Sequence, residues 1–410
     1  MYEWGFFDSK EELHPLEDAD NLYAAFLAAR RGSQWKAQVQ RFRWNAMTEI
    51  RKLQRELQAF RNGAEDGYRL SQYSRFTVHE RGKTRAITAL NVRDRTVKHA
   101  LNDLYLIPHI RPNLIYDNGA SLKDKGVSFT RNRLTAHLES FFRERGGNDG
   151  YIMTMDFSGY YDNIDHALAK QMITAWEPDE FARQLTFQAY DSFRVDVSYM
   201  SEEEYRRAQQ EKFSMVEYRK ETRLQTGEKF LCRSMSVGDQ TSQITAIAYA
   251  TPIDKLVTIV NGFRYYGRYM DDLYVIAGTK EELEEIRQKI EDMAKRLRLF
   301  LNPRKTKIQK VSGTFRFLQY RYRLTERGHV VIRINPKTVT RMRRKLKKLK
   351  GLIQSGGTTK EKAEELFRTW IANYREILSR KQRENIIKLY RQLFGGGTDE
   401  WMKTRGFISP

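Results

Sequence analysis

Cysteine is almost missing from this chain: Cys232 stands alone, so no internal disulfide can form. Without a CxxC pair, a zinc knuckle or a zinc-bound nuclease domain of the usual spacing is excluded as well. Long apolar runs are also missing. No stretch of 18 apolar residues occurs, which excludes membrane spanning, and the opening MYEWGFFDSKEELHP lacks the apolar run of a secretory signal. The expectation is a cytoplasmic protein. Acids are in the minority, with 52 Asp and Glu against 73 Lys and Arg and a net charge of +21. Such a balance favours a polyanionic partner, because each neutralised phosphate releases condensed counterions, although charge alone also fits a merely soluble basic protein. Internal repeats and low-complexity tails are absent. What is present, 410 residues that are 40% hydrophobic and 12% aromatic, excludes disorder as the main state and suggests two or three folding units.

Periodicity orders the chain. From Asn21 to about Leu57, Leu22, Ala25, Phe26, Ala29, Val39, Phe42, Met47, Ile50, Leu53 and Leu57 recur at helical spacing, broken at Arg31-Gly32-Ser33. YSRFTVHERGKTRAITAL, residues 73 to 90, alternates about a turn from Glu80 to Lys83 and predicts a β-hairpin with a basic tip. RDRTVKHALNDLYLIPHI follows, helical until Pro108. YIMTMD, 151 to 156, is a buried strand ending in an acid, and YYGRYMDDLYVIAG, Tyr265 to Gly278, is a strand pair. Between them lie a helix around Ala167 to Trp176, a polar stretch from about Ser192 to Glu228, and the helical run GDQTSQITAIAYATPIDKLV. Lys280 to Leu299 predicts an amphipathic helix, followed by LNPRKTK and the strand-rich FRFLQYRYRL and HVVIRINP. From Arg333 onward, 20 Lys and Arg face 7 acids. There Met342, Leu346, Leu349 and Ile353 form a narrow apolar stripe under a wide basic face. Thr358 and Glu361 form a capping box for a helix whose stripe is Ala363, Phe367, Trp370, Tyr374 and Leu378.

Three acids need a reason. Asp156 ends one apolar strand, and Asp271 and Asp272 interrupt another apolar and aromatic segment. A buried carboxylate is costly unless it is paired or binds a metal, and adjacent acids repel unless a cation lies between them. Hard oxygen ligands suit Mg²⁺, with Mn²⁺ as a substitute, and two ions about 3.5 to 4 Å apart clamp the attacking and leaving oxygens of a phosphoryl displacement. The Asp-Asp pair alone would fit a solvated hairpin turn; its apolar flanks and the strand ending in Asp156 favour the metal.

These residues carry a resemblance. RYMDD, Arg268 to Asp272, resembles the YxDD hairpin of reverse transcriptases, and DFSGYYDNIDH, Asp156 to His166, is similar to their first catalytic motif. VGDQTSQ, Val237 to Gln243, resembles the element that opens the helix under the incoming nucleotide. LNPRKTK and FRFLQY resemble the lysine motif and the primer grip. RFTVHERGKTRAITALNVRDRTVKHAL and FRTWIANY are similar to the fingers and thumb of prokaryotic members. The likeness spans roughly residues 20 to 395 in the family's order. Gln243 after Ser242, where intron and retroviral enzymes carry proline, looks more like diversity-generating retroelement, defence-associated or prophage-borne enzymes than like those two groups. The polar stretch around 190–230 is longer than the family pattern. No nuclease, integrase or RNase H motif is visible.

The resemblance implies an α+β right-hand polymerase: an N-terminal helical extension (1–62), fingers (63–150), a palm with an antiparallel sheet (151–325) and a basic helical thumb with a tail (326–410). It implies metal binding by Asp156, Asp271, Asp272 and the Phe157 carbonyl, with Asp272 in a supporting role as an alternative. Tyr161 falls at the steric gate that favours deoxynucleotides; packing beside Tyr160 is the other reading. Lys83 and Arg85 would hold the triphosphate, or be solvated turn cations. Gly238 would let backbone approach the nucleotide, and Ser242 and Gln243 would touch the nascent pair, although a helix N-cap accounts for Ser242 alone. Lys305 or Lys307 would protonate pyrophosphate. Phe317, Leu318, Gln319 and Tyr320 would position the primer, or serve as palm core. Arg341, Arg343, Arg344, Lys347 and Lys348 would track duplex phosphates, or form a solvated face. The implied partners are an RNA template, a DNA or RNA primer, dNTPs, and a dedicated non-coding RNA or accessory protein. A non-catalytic RNA-binding maturase or scaffold and an RNA-directed RNA polymerase are the competing readings.

Overall fold

The structure, a computed structural model, describes residues 13–80 and 83–396; of Glu80, Lys83, Arg85 and Ala86 it describes the backbone alone. Two compact units share the chain. One comprises Met1–Thr130, Met155–Leu273 and Glu284–Thr306, the other Arg131–Thr154, Tyr274–Leu283 and Lys307–Pro410. Four of the unit boundaries fall inside elements, those after Thr154 and Leu273 in strands and those after Thr130 and Leu283 in helices.

In the first unit, helices Ala19–Ala29, Ala37–Trp44 and Ala46–Arg61 come first, in the residues expected to form an N-terminal helical extension. The periodic residues point inward as their spacing requires, except Met47, which is 68% exposed. Helix Ala19–Ala29 packs on helix Val92–Leu101. Strands β1 (Ser74–Glu80) and β2 (Lys83–Ala89) pair antiparallel with Glu80 opposite Lys83; the turn residues Arg81 and Gly82 lie outside the described residues. The following helix does not stop at Pro108. A π turn, Asn102–Leu106, precedes Ile107–Ile110, so Pro108 falls in the opening turn of a helical segment, where a missing N–H is tolerated.

Strand β3 (Tyr151–Asp156) has the expected limits. The polar stretch folds into strands β4 (Val195–Asp196) and β5 (Phe230–Leu231), paired antiparallel around helix Glu202–Gln210. Val197, Met200, Ala208 and Leu231 give it a small core. The buried Arg233 guanidinium fastens it, donating to the carbonyls of Ala208, Gln209 and Glu211 at 3.1, 3.1 and 2.8 Å, the orphan acceptors at that helix's C-terminus. Strands β6 (Tyr266–Tyr269) and β7 (Asp272–Ala277) flank the acidic turn, and with β3 and β8 (Lys307–Lys310) they form a sheet ordered β6-β7-β3-β8.

In the second unit, β9 (Phe315–Phe317), β10 (Tyr320–Leu324) and β11 (Val330–Ile334) form an antiparallel sheet ordered β11-β10-β9. Helices Pro336–Gln354, Lys360–Asn373 and Arg380–Phe394 follow, with Phe367 stacked on Tyr390 at 4.2 Å. The N-cap of the middle helix is Thr359, which accepts from Lys362 N–H, rather than Thr358 in a capping box with Glu361. That helix ends at Asn373, so its buried face is Ala363, Phe367 and Ile371; Tyr374 and Leu378 lie beyond it. Mixed helix and antiparallel sheet give the α+β class.

Candidate active site

The buried run Ile152, Met153 and Met155 holds β3 in the core and delivers Asp156 at its end, 4% exposed. The chain then turns at Gly159, whose φ of +57° is a left-handed conformation that glycine adopts without steric penalty. Across from it, the β6–β7 turn places Asp271, and Asp272 opens β7. Met270 takes φ +55°, an unfavourable value for a side chain with a Cβ, and stores strain beside the acids. The turn is tied to the β3 end, where Phe157 N–H donates to the Asp271 carbonyl at 3.2 Å.

The loop from Leu299 completes the cluster. Asn302 N–H donates to the Asp156 carbonyl at 2.8 Å, and its side-chain amide donates to Asp156 Oδ2 at 3.3 Å. Lys305 Nζ donates to Asp156 Oδ1 at 2.6 Å. Burial alone would lower the Lys305 ammonium, but the hydrogen bond and charge of Asp156 outweigh it and hold the group above its ordinary value. Asp272 shows the opposite stress. Burial, then the charges of Asp271 and Asp156, push its carboxyl up to about 7, with Lys305 opposing. One ammonium among three carboxylates leaves negative charge in excess, and all the donors are hard oxygens, so the set fits a divalent cation. It is not a preformed cage: among the described residues no three His, Cys, Asp or Glu side chains are arranged to hold an ion together.

Tyr161 stands beside the acids. Its hydroxyl points to Met270 Sδ at 3.8 Å, and burial, followed by the Asp271 charge, pushes the phenol up. The ring is edge-on to Tyr160, whose own hydroxyl is spent on the Ala246 carbonyl at 2.6 Å.

The helix Gln240–Tyr249 departs from expectation. Asp239, not Ser242, is its N-cap, accepting from Thr241 N–H. Ser242 is 1% exposed and donates to Asp239 Oδ2, which also meets the buried Lys98 ammonium, so Ser242 belongs to the core. Gly238 makes its close approach to protein: a Cβ there would lie 2.5 Å from the Thr88 carbonyl of β2. Gln243 is half-buried and lines a cavity of about 360 Å³ with Gly238, Arg95, Lys98 and His99. Lys83 and Arg85 lie on β2, but their side chains are outside the described residues.

Lys307 is exposed on β8. In the second unit, Phe317 and Tyr320 are core residues, packed against Tyr274 and Tyr322, while Leu318 and Gln319 form the half-buried turn between β9 and β10 with Leu318 at φ +53°. Arg341, Arg343, Arg344, Lys347 and Lys348 are exposed along one helix whose buried side is Met342 and Leu346.

Sequence reasoning passed over three residues. Asn302 was legible only as part of LNPRKTK. Asp254, an acid in an apolar helix, and Arg268, a cation between Gly267 and Tyr269, carried the signal of isolated charge in apolar surroundings. Together they anchor the acidic turn: Arg268 Nη1 donates to the Met270 carbonyl at 3.1 Å and Nη2 to Asp254 at 2.6 Å.

Residues 76–322, more than half of the chain, match the family model described as reverse transcriptase (RNA-dependent DNA polymerase). No curated protein matches the chain.

Proposed function

We propose, from the premise that this chain belongs to the reverse transcriptase family and is an RNA-directed DNA polymerase, that it extends a primer 3′-hydroxyl with dNTPs at the Asp156, Asp271 and Asp272 cluster. The observation that carries this reading is the burial of Asp272 beside the charges of Asp271 and Asp156, which together hold its carboxyl up near 7, while Lys305 meets Asp156. Asp156, Asp271 and the Phe157 carbonyl would hold two Mg²⁺ ions, with Asp272 a further oxygen donor. When bound, the ions supply positive charge to the attacking and leaving oxygens of the displacement.

The chain's own residues do the rest. The Phe157 to Asp271 hydrogen bond fixes the β3 end against the turn, so the acids meet substrate already oriented. Lys305, an ammonium held protonated, is placed to neutralise and protonate the departing pyrophosphate, a role that Lys307 on β8 does not share. The Tyr161 ring beside Asp271 would meet a 2′-hydroxyl and so select deoxynucleotides. The exposed cations of helix Pro336–Gln354 suit duplex phosphates. The motif order and Gln243 support service in a bacterial or prophage retroelement or in antiphage defence.

Primer extension on a defined RNA template with Mg²⁺, comparing dNTPs with NTPs for wild type and Asp271→Asn, tests the reading. Template-matched DNA made by the wild type and absent from the variant is the expected result. Ribonucleotide products would favour an RNA polymerase, and synthesis by Asp271→Asn would remove the mechanism.

A further inference from the structure

The N-terminal extension lies before the matched residues and presents a surface that the polymerase reading does not use. Between Arg30 and Arg55 the sequence holds eight Lys and Arg against one acid, Glu49. Within that stretch three large apolar side chains stand in water: Trp35 is 75%, Trp44 78% and Met47 68% exposed. Tryptophan is normally well covered, and three large apolar side chains left in water within 13 positions concentrate exposed apolar surface in one short stretch of chain.

Local structure explains why Trp44 and Met47 do not turn inward. Helix Ala37–Trp44 buries Val39 and Phe42, and Trp44 and Arg41 fall on the opposite side of its 3.6-residue turn. The next helix buries Ile50, Leu53, Gln54 and Leu57 and leaves Met47, Arg51, Lys52 and Arg55 outside. Lys36 Nζ sits 5.7 Å from the centre of the Trp35 ring, so positive charge is held beside the aromatic face.

Flat aromatic faces between exposed cations, with no acid from Arg30 to Thr48, match one ligand chemistry: bases to stack and phosphates to neutralise. A regular duplex hides its base faces and offers only the phosphates. We propose that Trp35, Trp44 and the cations around them form a binding surface for a single-stranded polynucleotide, separate from the catalytic cluster. The surface works without synthesis, so it stands or falls independently of the catalytic reading.

The test uses the full chain and fluorescein-labelled oligouridylate and oligothymidylate 30-mers, with a blunt duplex of the same length. Trp35→Ala/Trp44→Ala should raise Kd for the single strands about tenfold or more, since one stacked base contributes about 1 to 3 kcal/mol. Duplex affinity and kcat on saturating primer–template should be unchanged. Trp35→Phe/Trp44→Phe keeps the rings and should stay within about threefold of wild type. Arg41→Ala/Arg43→Ala should reduce the slope of log K against log salt by about 1.4, two phosphates at about 0.7 each, which keeps the test open if the tryptophan variant folds poorly. A loss confined to oligouridylate identifies RNA as the ligand; an equal loss for both strands identifies generic stacking. Unchanged affinity and slope would overturn the proposal, as would a change only in self-association, which would make the patch a protein interface.

Discussion

Arg268 and Asp254 form an ion pair of 2.6 Å in which neither side chain is exposed to solvent. Tyr266 adds a hydroxyl to Asp254 Oδ1 at 2.6 Å, and the Arg268 guanidinium also reaches the carbonyls of Ile247 and Met270. Burial by itself would lower the guanidinium, yet Asp254 holds it well above its ordinary value, so Arg268 stays charged. The pair therefore acts on the acidic turn through the Met270 carbonyl, one residue before Asp271. Asp254→Asn should destabilise the protein by about 3 to 5 kcal/mol, because it strands a buried charge. The apolar pair Asp254→Leu/Arg268→Met should recover most of that stability in thermal melts but not kcat, since the Met270 carbonyl has lost its donor.

Removing one carboxylate at the turn separates chemistry from binding. Asp271→Asn should lower kcat by about 10³-fold or more, some 4 kcal/mol of barrier, while Kd for primer–template changes little. Single-turnover extension beside anisotropy titration measures both.

The raised Asp272 makes a pH prediction whose sign is opposite to that of an ordinary carboxylate. The folded state keeps the proton up to about 7, whereas the unfolded chain releases it near the usual value of 3.8, so stability falls as pH rises through that window. In EDTA at pH 8, Asp272→Asn should melt a few degrees above wild type, a gain on the order of 1 kcal/mol after solvent screening. Mg²⁺ should close the gap by stabilising wild type alone. A variant that melts lower at pH 8 and equally at pH 5 would contradict this.

Sugar selection should rest on the Tyr161 ring rather than its hydroxyl. Tyr161→Ala should improve ribonucleotide use by about tenfold or more, equivalent to about 1.4 kcal/mol, and Tyr161→Phe should change it little. Unchanged selection in the alanine variant would return Tyr161 to packing against Tyr160.

At Gly238 the crowding is within the protein. An added Cβ meets the Thr88 carbonyl at 2.5 Å, a backbone atom that cannot swing aside. Gly238→Ala should therefore cost about 1 to 3 kcal/mol of stability, and its melting temperature should drop without nucleotide present.

Local pattern determined a large part of this protein. The run YIMTMD is β3 to the residue, because a six-residue, mostly apolar run closing on an acid is too short for a core helix, and the Asp-Asp pair stands out between two apolar strands. Asp156, Asp271 and Asp272 were legible because a carboxylate in apolar surroundings is conspicuous in sequence. Partnership was not legible. Ser242 donates to Asp239, and Gly238 lies against the Thr88 carbonyl, neighbours that no local pattern announces. Lys305 and Lys307 were equivalent in LNPRKTK. Only the fold parts them, because the turn after Asn302 swings Lys305 onto Asp156 while β8 carries Lys307 to solvent. Likewise Asp254 and Arg268, fourteen positions apart, become one buried ion pair only when β6 packs on the helix that carries Asp254. Periodicity and composition act over one or two turns of chain and set which face is buried. Which charge meets which across the core depends on distances between segments far apart in sequence, and those are settled only when the elements pack.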